Sequence, residues 1–120
     1  MMKLQLARNL EHFFSLFNHR KVEISTAIEC HWPPFGLRIE IIEERILMTS
    51  WLLKEGDFDL LHALKINQPE RFWGIPQRVF IIRHRAYVSG WCPKESDGLF
   101  LFRLCQRQRQ FLSQLPKGAA

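Results

Sequence analysis

At 120 residues the chain has room for one domain, and 47% hydrophobic residues, ten Phe and four Trp among them, can fill one core. With 24% charged residues and a formal net charge of +5 the composition excludes intrinsic disorder, and the apolar runs are too short for a transmembrane helix. Three cysteines, Cys30, Cys92 and Cys105, form an odd set without a CxxC pair, which favours reduced, buried thiols in the cytoplasm over a disulfide framework.

The first element is an amphipathic helix over residues 3–19. Leu6, Leu10, Phe13 and Phe17 recur at helical spacing, with Ala7 and Phe14 widening the stripe and Arg8, Asn9, Glu11 and His12 on the other side. Residues 1–8 lack the apolar core and cleavage site of a secretory signal, so a cytoplasmic protein is expected. From Val22 the period changes to two: Val22, Ile24, Thr26 and Ile28 alternate with Glu23, Ser25, Ala27 and Glu29 in a first strand reaching Cys30 or Trp32. Pro33-Pro34-Phe35-Gly36 is a loop signal, Leu37–Ile42 a second strand, Glu43-Glu44-Arg45 a turn and Ile46–Leu53 a third strand. Short connections make these three strands antiparallel.

Asp57 is a candidate N-cap for a short helix over 58–67, with Phe58, Leu61, Leu64 and Ile66 as its apolar positions. The segment Gln68–Gln77 reads as a loop, unusually aromatic at Phe72 and Trp73. Arg78–Cys92 then carries a hairpin: Val79–Ile82, a basic turn at Arg83-His84-Arg85, and a returning strand from Ala86 that Pro93 stops. After a second loop, with Ser96 or Asp97 as cap, a last helix runs from Leu99 to Leu115. Its stripe of Leu101, Leu104, Phe111 and Leu115 is interrupted by Gln108. Residues 116–120 read as a frayed tail of a single domain covering 1–120.

Chemistry is sparse in this pattern. The five histidines sit on different elements, and Cys30-His31 is the one adjacent Cys/His pair, with no second pair at ligand spacing, so no metal site is expected. No phosphate loop, nucleophile elbow or oriented acid–base set is present, so no catalytic residue and no cofactor is expected. The positive charge gathers at Arg83-His84-Arg85 and at Arg103, Arg107 and Arg109, short of the dense blocks of a nucleic-acid arm. Trp51, Trp73 and Trp91 are the aromatic residues to watch, because Trp is enriched at interface hot spots.

The order α-β-β-β-α-β-β-α at this length resembles the small secretion chaperones of bacterial type III systems, over essentially the whole chain. Effector chaperones are typically acidic, and this chain departs from them in its +5 charge. The Arg/Gln-rich last helix, the stretch Phe72–Trp91 and the closing Arg107–Leu112 make it more similar to the HrpV group of type III secretion regulators. The resemblance implies an α+β fold with a five-stranded, mainly antiparallel sheet and helices on one side. It also implies a dimer interface mapping onto Phe58, Leu61, Leu64 and Val79–Ile82. Such a sheet leaves a face or an edge that needs a partner, in a homodimer or a heterodimer.

The function expected from this resemblance is a cytoplasmic, non-enzymatic protein that restrains a transcriptional activator of secretion genes by binding it, relieved by a chaperone-like antagonist. Contacts are expected from Phe58, Leu61, Leu64, Phe72, Trp73, Val79, Ile81 and Trp91, with Arg83 and Arg85 orienting an acidic surface. An effector chaperone, holding an extended segment of a secreted protein, is the alternative within this fold. A nucleic-acid-binding module using the hairpin tip and last helix is the alternative outside it.

Overall fold

The computed structural model describes residues 2–17 and 22–116. Its elements are α1 (Leu4–Ser15), β1 (Ala27–Trp32), β2 (Phe35–Ile42), β3 (Arg45–Leu52), α2 (Leu60–Ile66), a 3-10 turn (Pro69–Phe72), β4 (Arg78–Ile82), β5 (Arg85–Trp91) and α3 (Gly98–Leu112). The fold is α+β in the expected order, with the 3-10 turn added. The five strands form one sheet, antiparallel throughout, in the order β1-β2-β3-β5-β4. The edges are therefore β1 and β4, and the long β3 lies at the centre.

Period-two alternation sorts the strand residues onto two faces. One row runs Ile28, Ile39, Met48 and Gly90 across the sheet, and the next runs Cys30, Leu37, Ser50, Val88 and Val79. Helices α1 and α3 pack against each other, and α3 lies on β3 and β5 over these rows. From α1 come Leu10, Phe13 and Phe14, and from just past its end Phe17, all buried, with edge-to-face contacts from Phe13 to Phe14 (4.8 Å) and to Phe17 (5.2 Å). From α3 come Leu101, Leu104, Cys105, Phe111 and Leu112. Burial of each such large side chain contributes about 1.5–3 kcal/mol, so the helical face supplies most of the driving force for the fold.

Element ends differ from the periodic reading for identifiable reasons. The first strand begins at Ala27 rather than Val22, because Ala27 already pairs with Glu40 and β2 ends two residues later at Ile42. Residues 22–24 would run past the β2–β3 turn with no strand to pair with. Helix α1 ends at Ser15, and the expected continuation over 18 and 19 lies outside the described residues. Helix α2 starts later than Asp57 implies: its cap is Asp59, whose Oδ1 accepts from the His62 N–H at 3.2 Å. Phe58 instead forms a bridge with Pro116. Helix α3 is capped by Asp97, Oδ1 accepting from the Phe100 N–H at 2.8 Å, and closes at Leu112.

The β2–β3 and β4–β5 hairpins each turn through two residues of positive φ, Glu43 (51°) with Glu44 (64°), and Arg83 (49°) with His84 (64°). Such turns match the right-handed twist of the flanking strands, although Asn-Gly is the usual solution. The strand pairing, which locks Ile42 opposite Arg45 and Ile82 opposite Arg85, therefore holds charged residues in a conformation they adopt at some cost.

Candidate functional site

Three surfaces stand out among the described residues once the core is filled. The first is formed by α2 and the edge strand β4, which pack together. Ala63 and Ile66 turn α2 toward the core, and this leaves Leu61 (71% exposed) and Leu64 (51%), with Leu60, on the outside. Ile82, at the end of β4, is 50% exposed but faces the other side of the sheet, with Phe80. A seven-residue helix with three outward leucines beside an unpaired strand edge is an apolar surface without a cover.

The second is the sheet face opposite the helices. Trp51 and Tyr87 stack at 5.6 Å and Tyr87 and Phe80 at 5.1 Å, so three rings run from β3 to β4. Gly36 allows this, because a Cβ there would lie 2.1 Å from the Trp51 ring. The result buries Trp51 within its own sheet. Beside the rings, Arg38 bridges Glu29 (3.3 Å) and Glu40 (3.1 Å), and His31 lies 2.9 Å from Glu29. These groups line a shallow depression of about 660 Å3.

The third lies at the far end of the β4–β5 hairpin from its turn. Trp73 follows the 3-10 turn and Trp91 ends β5, and the two indoles line one cleft of about 400 Å3 with Arg45, Pro76 and Pro93. Trp73 is 45% exposed and Trp91 41%. An arginine lies over each ring, Arg107 at 4.9 Å from Trp73 and Arg45 at 5.3 Å from Trp91. On its other side Trp73 borders a polar depression lined by Arg103, Gln106, Arg107 and Gln110.

The family follows from the chain as a whole. Residues 3–115 match the family model described as SsaM. The chain belongs to the SsaM family. The matched span takes in every element from α1 to α3, and with them all three surfaces of this SsaM-family chain. No curated protein and no solved structure matches it.

The residues expected at a single partner surface are divided by the fold of this SsaM-family protein. Leu61 and Leu64 are exposed on the α2–β4 surface, while Trp73 and Trp91 share the cleft. Phe72 is fully buried, its ring 5.9 Å from Phe111, so the expected contact is corrected to a core position. Val79 and Ile81 are half-buried on the helix side of β4, and Val79 packs on the core. Phe58 is also half-buried against the core. Arg83 is exposed at the hairpin tip, but Arg85 turns back on its own chain. Its Nε donates to the Leu53 carbonyl at 3.0 Å and Nη2 sits 3.7 Å from Glu55.

The basic cluster of α3 divides too. Arg103 and Arg107 face solvent, but the Arg109 guanidinium lies among the rings of Phe17 (5.0 Å), Phe35 (5.1 Å) and Trp32 (5.9 Å). Its Nε and Nη2 are buried without hydrogen-bond partners among the described residues, and the cation meets the π faces and the Cys105 thiol instead. Gln108, which interrupts the apolar stripe, is fully buried as well and bonds to Ser50 and Gln77. Among the described residues no three His, Cys, Asp or Glu side chains are grouped as metal ligands would be, and no helix is long and apolar enough to cross a membrane.

Burial pushes the Cys92 thiol up to about 12 and the Cys105 thiol up to about 11, from an ordinary value of 9.0. Cys30, half-buried, is raised by burial and by the Glu29 carboxylate. Thiolates are the reactive form, so in the folded protein Cys30 alone will react with a disulfide reagent at pH 8, and all three will react in urea. The same shifts couple to stability. Because the folded state holds these protons more tightly, their contribution is complete below about pH 9 and is lost between 9 and 12. Urea midpoints measured across that window will fall as pH rises, and a flat profile would contradict the burial of both thiols.

Proposed function

We propose that this SsaM-family chain is a non-enzymatic, protein-binding regulator of bacterial type III secretion, working in the cytoplasm by binding a transcriptional activator and restraining it. A chaperone-like antagonist would compete for the same chain. The observation that carries this reading is the uncovered α2–β4 surface, with Leu61 and Leu64 exposed beside an open strand edge. Exposed leucines on a short helix gain about 25 cal/mol for each Å2 of apolar area a partner removes from water, and an open edge offers backbone hydrogen bonds as well. The same surface suits a second copy of the chain, so a homodimer exchanging its partner for the activator is part of the proposal.

The test is capture of partners from the native cytoplasm at about 0.15 M salt, with and without nuclease, by the parent protein and by a Leu61→Asp/Leu64→Asp variant. Both positions are exposed, so the variant will fold, and it will lose a nuclease-resistant protein partner by at least about tenfold, as hot-spot substitutions do. Light scattering will show whether it also loses self-association. Unchanged capture by the variant removes the α2–β4 surface from the proposal. Recovery of a secreted effector instead of an activator changes the reading to an effector chaperone, and partners lost on nuclease digestion change it to nucleic-acid binding.

A further inference from the structure

The Trp73–Trp91 cleft stands apart from the α2–β4 surface, and its chemistry is different. Two tryptophans are more than 40% exposed in one depression, where a folding core would have buried them. Trp73 is also held at φ 52°, in the left-handed region that a bulky side chain seldom occupies. Its backbone N–H does no more than cap the 3-10 turn by bonding the Pro69 carbonyl, which a glycine would do with less strain. The indole is thus displayed at a conformational cost, against Phe100 at 5.7 Å on one side and under Arg107.

The charge around the two indoles has one sign. Arg45, Arg103 and Arg107 line the two depressions that meet at Trp73, and no Asp or Glu lines either. The ion pairs among the described residues use Lys3, His31, Arg38 and Arg85, and none of these three arginines. A guanidinium over an indole can still offer an N–H edge to a carboxylate, which it matches with two parallel hydrogen bonds. A volume of about 400 Å3 is within the range of sites that take one apolar group.

We propose that this cleft is a second docking site, for an acidic linear segment of a partner protein. An aromatic or large aliphatic side chain of that segment enters between Trp73 and Trp91, and flanking carboxylates pair with Arg45, Arg103 and Arg107. Nucleic acid fits less well. A single strand needs a basic track several nucleotides long, and the other arginine cluster, at the hairpin turn, lies at the opposite end of β5. At ~3.3 Å per residue that separation is about 20 Å, across Tyr87 and Ser89 rather than along a basic groove.

The test uses fluorescence anisotropy with three labelled probes on the full chain: a random glutamate–tyrosine copolymer, polyglutamate, and a dT20 oligonucleotide. The copolymer will bind more tightly than polyglutamate, and its binding will weaken as salt rises. Trp73→Ala and Arg107→Glu will each weaken it about tenfold, Arg103→Glu several-fold, and Arg107→Lys less than Arg107→Glu. Arg8→Glu, the same change of charge on the exposed side of α1, will change it less than about twofold. Arg103 and Arg107 are exposed, so their variants keep the test valid if Trp73→Ala fails to fold. The proposal is overturned if Arg8→Glu weakens binding as much as Arg107→Glu, if polyglutamate binds as well as the copolymer, or if no acidic probe binds. It is also overturned if dT20 binds more tightly than the copolymer and depends on the same residues.

Discussion

Gln108→Leu will melt about 10 °C below the parent protein, a loss of about 3 kcal/mol, despite replacing a polar side chain in the core with an apolar one of similar size. The Gln108 amide is the centre of a buried network. Its Oε1 accepts from Ser50 Oγ at 2.7 Å, and its Nε2 donates to Gln77 Oε1 at 2.9 Å and to the Met48 carbonyl at 3.2 Å. Ser50, Gln77 and Gln108 are all buried, so leucine leaves the Gln77 amide oxygen without water to turn to and the Ser50 hydroxyl with only the weak Cys105 thiol beside it. Each abandoned group costs about 1–3 kcal/mol, which exceeds what the added apolar contact returns. Gln108→Glu will be worse, because a carboxylate cannot donate to Gln77 or to Met48. Removing the stranded hydroxyl as well, in Ser50→Ala/Gln108→Leu, will recover part of the loss, and the double-mutant cycle in urea measures the coupling. A parent-like melting temperature for Gln108→Leu would show that the network contributes nothing to stability.

Phe72→Ala will cost about 3–5 kcal/mol, a large part of the stability of a domain this size. The ring is fully buried and meets Phe111, and the 3-10 turn that carries it packs on α3. Alanine opens a cavity there, whereas Phe72→Leu, which fills most of the space, will cost about 1 kcal/mol. The two variants also separate the two docking surfaces. Phe72 directly precedes Trp73 and anchors its turn, so at a temperature where Phe72→Ala remains folded it will bind the glutamate–tyrosine copolymer more weakly. Capture through Leu61 and Leu64 will persist, because α2 has its own anchors in Ala63 and Ile66. Equal loss at both surfaces would mean that the two move as one unit.

Much of this fold is legible in the residues because local pattern and tertiary need agree. Leu10 and Phe13 mark the buried stripe of α1, and period two in Leu37–Ile41 and in Ala86–Val88 marks strands with one buried face. The misreadings occur where partners distant in sequence decide. Asp57 reads as the cap from sequence, but the Phe58–Pro116 bridge, 58 positions apart, keeps it out of the helix and the cap falls to Asp59. Gln108 looks like a flaw in an apolar stripe until Ser50 and Gln77, brought from β3 and from the loop before β4, supply its partners. Arg109 reads as one of a surface cluster until α1 and the β1–β2 hairpin place three rings around it.

The candidate surfaces divide the same way. Sequence alone determined the α+β class and the order α-β-β-β-α-β-β-α, with Leu61, Leu64, Trp73 and Trp91 among the candidate contacts, because periodicity and turn residues are local properties. Only the tertiary structure decided which tryptophans face water. Trp51 disappears beneath its own stack over Gly36, while Trp73 and Trp91, 18 positions apart, meet in one cleft. It also decided that Phe72 serves the core and Arg85 its own loop. Exposure is set by what the rest of the chain places on top of a residue, and that depends on strand order and helix packing rather than on the residue's neighbours in sequence.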